Sequence, residues 1–133
     1  MAQQTTLSPE QFQQTMQLWG PQKIELVFAH YWIDFFHPVI YAVLMTAGLF
    51  QLTDMAHSPA FFRRIVAFPV FAAAFDEIEN IVQLALYKGW LGFDSPLFYL
   101  GGVSALLKWL LIFVSGAALW IGLVRKFLLP ARP

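Results

Sequence analysis

The chain has no cysteine, few charges and no net charge. The missing cysteine excludes disulfides, thiolate nucleophiles and cysteine-ligated metals, and leaves the redox state of the compartment open. Eight basic residues balance eight acidic ones, so nucleic-acid binding has no electrostatic basis. Charged residues make up 12% of the 133 positions against 59% hydrophobic, whereas soluble chains carry about a quarter charged. The sequence also lacks helix repeats, low-complexity tracts and any polar stretch long enough for a soluble domain.

What it has instead is three apolar segments of roughly 25 to 30 residues, each longer than the ~20 that a spanning helix needs. The expected fold is all-α. A single polytopic membrane domain occupies residues 1–133, with transmembrane helices over 22–52, 59–88 and 96–125 and an N-terminal interfacial amphipathic helix over 8–19. Ser8-Pro9-Glu10-Gln11 reads as an N-cap, a proline at the first helical position and a capping box closed by Gln11, with Leu7 and Phe12 as a hydrophobic staple. Phe12, Met16 and Trp19 share one face of this short helix. It either lies in the headgroup region with Trp19 as anchor or packs as a cap over the bundle.

Gly20-Pro21 ends the short helix, and Ser58-Pro59 and Ser95-Pro96 repeat the cap-plus-proline start. Pro38 and Pro69 should kink the first and second spans, and Gly89 should stop the second. The first apolar segment lacks a basic leader, is too long for a signal core and carries Asp34 and two histidines, so a retained span is expected. Arg63, Arg64, Arg125, Lys126 and Arg132 fall on one side and Lys23 and Lys88 on the other. That bias predicts an inner-membrane, multi-pass protein with its N-terminus outside and its C-terminus in the cytoplasm.

The anomaly is Phe75-Asp76-Glu77-Ile78-Glu79-Asn80, three carboxylates inside an apolar segment. A charge at the bilayer centre costs about 2.5 to 3.5 kcal/mol on insertion scales, so these acids need partners, protons or a ligand. At about 100° per residue, Asp76, Glu79, Asn80 and Gln83 share a face, with Glu77 at its flank. His30, Asp34, His37 and Tyr41 form a stripe on the first span, and Gly101, Ser104, Lys108, Ser115 and Gly122 another on the third. Asp34, Asp76 and Lys108 each lie about 12 or 13 residues from the outer end of their helix, which places them at one depth, about 18–20 Å in. Lys108 is therefore expected to be the cationic partner of Asp34 and Asp76, with His37, Tyr41, Glu79 and Asn80 completing a pocket. Four acids against one lysine leave one or two acids protonated near pH 7, or a cation or basic ligand bound. A protonated acid beside an ionised one is what general acid–base chemistry requires.

Three segments together resemble a family of small, uncharacterised bacterial integral membrane proteins. The first is Asp34-Phe35-Phe36-His37-Pro38-Val39-Ile40-Tyr41, matching Asp-x-x-Phe-Pro-x-x-Tyr except that His37 replaces the phenylalanine. The others are Pro69 with Asp76-Glu77-Ile78-Glu79-Asn80, matching Asp-x-x-Glu-Asn, and Leu107-Lys108-Trp109. The resemblance covers all three spans and implies a membrane fold and this choice of residues. It implies no reaction.

Several functions fit the pattern. The most specific is binding of, or acid–base chemistry on, a lipid, sterol or isoprenoid. Asp34, Asp76, Glu79 and Lys108 would carry the chemistry, and His30, His37, Tyr41, Glu77, Asn80, Gln83 and Ser104 would contact the ligand. The alternative is a structural role, in which buried polar residues hold the helices together or hold the chain, as an accessory subunit, in a larger membrane complex. A proton or cation pathway would require a homo-oligomer, because three helices cannot enclose a conduit. His30-x-x-x-Asp34-x-x-His37 is a feasible ligand spacing, but such pairs in a polar core are more often hydrogen-bonded than metallated. No metal or cofactor is assigned.

Overall fold

The computed structural model describes residues 6–52 and 60–128. Five helices follow in order: α1 (Pro9–Asp34), α2 (His37–Leu52), α3 (Ala60–Ile65), α4 (Phe68–Tyr87) and α5 (Pro96–Leu128), with no strand among the described residues. The all-α expectation holds.

The start of α1 is capped as the sequence indicates, in part. Ser8 Oγ accepts the Gln11 backbone N–H at 3.3 Å. It also donates to Glu10 Oε2 at 2.7 Å, which holds the Glu10 carboxyl below its ordinary range. The reciprocal half of the expected capping box is taken by another residue. Thr6 Oγ1 accepts the Ser8 N–H at 3.2 Å and donates to the Gln11 side chain at 3.1 Å. Leu7 does not form a buried staple; it is exposed, and its Cδ2 lies over Gly102 of α5, where an added Cβ would meet it. Gly20, with φ +67°, breaks α1 where the sequence predicts an end, and helical structure resumes on a new axis.

Phe12 explains where the first segment of α1 goes. Its side chain is 2% exposed and packs with Val82, Leu86 and Phe98. Its ring lies 5.6 Å from Tyr87, 5.8 Å from Phe93 and 5.7 Å, edge-on, from Phe98. Trp19 stacks on Tyr87 at 6.4 Å. The first segment is thus pinned to α4 and α5 by an aromatic cluster, the cap arrangement considered above.

Both predicted proline kinks are complete breaks. The first expected span is the second segment of α1 followed by α2, separated by a turn at Phe35 and Phe36. Pro38 has no N–H to give to the carbonyl four residues back, and its ring crowds that turn. The second expected span is α3 followed by α4, broken at Val66 and Ala67 just before Pro69. The Ser58-Pro59 start lies outside the described residues. Gly89 ends α4 in the left-handed region, φ +69°, and its N–H returns to Leu86 O at 3.1 Å while Trp90 N–H reaches Ala85 O at 2.9 Å. Ser95 caps α5, its Oγ accepting the Leu97 N–H at 3.3 Å, and α5 runs on past the expected end at Arg125 to Leu128.

α4 is the central helix, packed chiefly on α5, then α2, with a smaller contact to α1. The α4–α5 approach depends on Gly101, where a Cβ would meet Val82 Cγ1 at 2.9 Å. Beside a small apolar core, polar side chains are buried and many large apolar ones are exposed. Asp76, Glu79, Asn80, Gln83, Ser104, Lys108 and Ser115 are buried, while Trp32, Phe36, Phe71, Ile81, Phe113 and Trp120 are exposed. Two stretches, Lys23–Leu52 and Pro96–Phe127, are long and apolar enough to span a membrane. α4 has 20 residues, about 30 Å, with its three acids in the middle.

Candidate functional site

The inward face of α4 carries the ionisable core of the protein. Glu79 is 0% exposed and Lys108, arriving from α5, is 5% exposed. Lys108 Nζ sits 3.0 Å from Asp76 Oδ1 and 2.5 Å from Glu79 Oε2. Asp76 and Glu79 are three residues apart on one helical face, so a single ammonium bridges both. The contact to Asp76 is an aligned hydrogen bond. The closer one to Glu79 is an ion contact off the donor direction, which leaves Glu79 Oε2 with a charge partner but no aligned donor.

Neutral groups extend this triad in both directions. Tyr41 of α2 donates to Asp76 Oδ2 at 3.2 Å. Gln83 Nε2 donates to Glu79 Oε1 at 2.8 Å, and Tyr31 of α1 donates to Gln83 Oε1 at 3.0 Å. The result is one row, Tyr31–Gln83–Glu79–Lys108–Asp76–Tyr41, that ties α1, α4, α5 and α2 together. Two carboxylates against one ammonium leave one negative charge in excess when all three are ionised.

Beside the triad lies a cavity of about 220 Å³, lined by His30, Asp34, His37, Tyr41, Asp76, Asn80, Lys108, Trp109 and Ile112. Asp34 and His30 pair at 3.2 Å on its outer wall, the histidine side chain 67% exposed and the aspartate 30%. His37 is exposed and meets the Tyr41 ring edge-on at 5.4 Å. Asn80 donates to the Asp34 backbone carbonyl at 3.3 Å. The helix break turns the stripe of the first span toward the triad, and the stripe forms one wall.

One expected pairing is corrected. Lys108 does not pair with Asp34; its second partner is Glu79, and Asp34 pairs with His30. Asp34, Asp76 and Lys108 do line one cavity, but the ammonium sits between two acids of the same helix. Of the other candidates, His30, His37, Tyr41 and Asn80 line the cavity. Gln83 stands behind Glu79. Ser104 is buried, its Oγ without a hydrogen-bond partner among the described residues. Glu77 is half-buried outside the cavity lining, on the flank where the helical angle puts it.

Tyr31 and Ile112 belong to the arrangement although no sequence motif marks them, and Trp109 enters the motifs only as the neighbour of Lys108. Tyr31 lies three residues from Asp34 and within about 60° of it around the helix, a signal that was present. Trp109 reads as an outer-face aromatic by angle, yet it borders the cavity beside Lys108. Among the described residues, no three histidine, aspartate or glutamate side chains form a group able to hold a metal ion. Compared with protein-family models, curated proteins and solved structures, the chain matches none of them.

Proposed function

We propose that this is an integral membrane protein whose half-open cavity receives the polar head of a lipid-like ligand. Three spans are inferred: the second segment of α1 with α2, then α4, then α5, with the N-terminal helix at the outer interface and the C-terminus in the cytoplasm of an inner membrane. The buried polar row and the many exposed large apolar side chains support this placement, as do the basic residues of the cytoplasmic side. So does the motif resemblance to small bacterial membrane proteins. In such a frame α4 tolerates its acids because Asp76 and Glu79 face Lys108 rather than lipid.

The observation that carries the ligand reading is the juxtaposition in the cavity wall. Ionisable groups, Asp34, Asp76, Lys108 and His30, line a space whose wall also carries the apolar side chains of Trp109 and Ile112. A lipid reaches such a site sideways without a water channel. At about 220 Å³ the cavity is smaller than the roughly 300–1,000 Å³ that enclose a drug-sized ligand. It admits a headgroup and leaves a tail outside. Asp76, held between Lys108 and Tyr41, is the acid or base best placed to act on that headgroup, with Asn80 and Tyr41 orienting it.

A second reading has its own support. Every member of the row from Tyr31 to Tyr41 already has a partner inside the chain, as expected if the row only holds helices together, alone or within a larger complex. Lipidomic mass spectrometry of protein extracted in mild detergent separates the two. Stoichiometric retention of one lipid class, lost when Ile112→Trp fills the cavity, supports the ligand site. No retained molecule in either protein supports the structural role.

A further inference from the structure

We infer that the cavity selects a cationic headgroup, an amine or quaternary ammonium carried on an apolar tail. This rests on the reading of the cavity as a ligand site and names the class of ligand. The first argument is charge. The one lysine in the cavity wall is already shared by Asp76 and Glu79, so its field is cancelled and it offers an anion nothing. Asp34 faces the space with a single partner, the exposed His30, on Oδ1. Its other carboxylate oxygen has no partner among the described residues. With the histidines neutral and the three carboxyls ionised, Asp34, Asp76 and Glu79 outweigh Lys108 by two charges, and protonation of one still leaves an excess of one. A phosphate or sulfate head would enter a net negative site.

The second argument is the wall itself. Four rings line the cavity with the acids: His30, His37, Tyr41 and Trp109. Trp109 already has a cation nearby, with Lys108 Nζ 5.5 Å from its ring centroid. Aromatic faces combined with carboxylates are how proteins hold alkylated ammonium groups, whose charge is spread over methyl groups that cannot donate hydrogen bonds. A hydroxyl head would use the carboxylates but gain nothing from the rings. The tail has a path, because Trp109 contacts Phe113 at 5.9 Å and Phe113 is exposed on the outer surface of α5.

The test uses the whole chain in nanodiscs of neutral lipid, titrated with radiolabelled dodecyltrimethylammonium, dodecyl phosphate or dodecanol, with empty discs as the partition background. The inference predicts saturable binding of dodecyltrimethylammonium alone. Asp34→Asn and Trp109→Leu should each weaken it, roughly tenfold for the lost charge contact, and Asp34→Glu should recover part of the loss. Saturable dodecyl phosphate or dodecanol with no ammonium binding would overturn the cationic preference while leaving a ligand site. Ammonium binding indifferent to both substitutions would place the amphiphile elsewhere and overturn it too. No saturable binding of any probe would remove both the preference and the ligand reading.

Discussion

The Asn80 side chain donates to the backbone carbonyl of Asp34, the carbonyl that Pro38 leaves without its helical donor. One residue thus links the break in the first span to the acid-bearing helix. In an apolar surround an unpaired carbonyl is costly, so the break and the amide are coupled. Asn80→Leu should destabilise the protein by about 1–3 kcal/mol. Pro38→Ala, which restores an N–H at position 38, should relieve part of that cost in the double variant. Unfolding in a detergent titration series measures both. Equal losses in the Asn80→Leu single and double variants would show that the break and the amide are not coupled.

The triad predicts an unequal response among its acids. Lys108→Met leaves two buried carboxylates without their cation and should cost about 3–5 kcal/mol. Adding Glu79→Gln should recover more of this than adding Asp76→Asn, because Glu79 is fully buried and Asp76 retains the Tyr41 hydroxyl. Thermal unfolding of the three proteins in one detergent gives the ranking. A larger recovery with Asp76→Asn would contradict the arrangement.

Phe12 should act as the pin of the N-terminal segment. Phe12→Ala removes the ring shared by Tyr87, Phe93 and Phe98 and should cost about 3 kcal/mol locally. Limited proteolysis would then cut between Gln13 and Trp19 faster than in the parent chain, while binding at the cavity stays unchanged. An unaltered cleavage rate would mean that the segment is held by something else.

Close approach of α4 and α5 at Gly101 makes a steric prediction. Gly101→Ala places a methyl 2.9 Å from Val82 Cγ1, and such overpacking costs about 1–3 kcal/mol. Val82→Ala in the same chain should return most of it. Unfolding free energies of the single and double variants, compared as a cycle, show whether the two positions touch.

Much of this was legible in the sequence, and the reasons are local. Pro38, Pro69, Gly20, Gly89 and the Ser95-Pro96 pair act through backbone geometry that depends on near neighbours, so the breaks and ends follow from them. The inward stripes of α4 and α5 were also legible, because polar residues in an apolar chain turn to one another; on the first span His30 and His37 stay exposed at the edge of the cavity. The partner of Lys108 was not. Depth places three acids within reach, but choosing among them depends on side-chain angles at a helix break. The local pattern gives Phe12 only a place on an amphipathic face; its burial comes from residues some 70 to 86 positions away, which no local pattern contains. Trp109 escaped for a similar reason, since the space it borders exists only once the broken first span has turned toward α5.

The central claim is that the cavity opens sideways to lipid near the middle of a membrane. Because the chain has no cysteine, His37→Cys can be spin-labelled as a unique site in liposomes, and collision rates with oxygen and with a polar nickel chelate give its depth. The account predicts high oxygen and low nickel accessibility, with a depth near the bilayer centre. Nickel accessibility matching that of a label at Gln13 would place the cavity in water and contradict it.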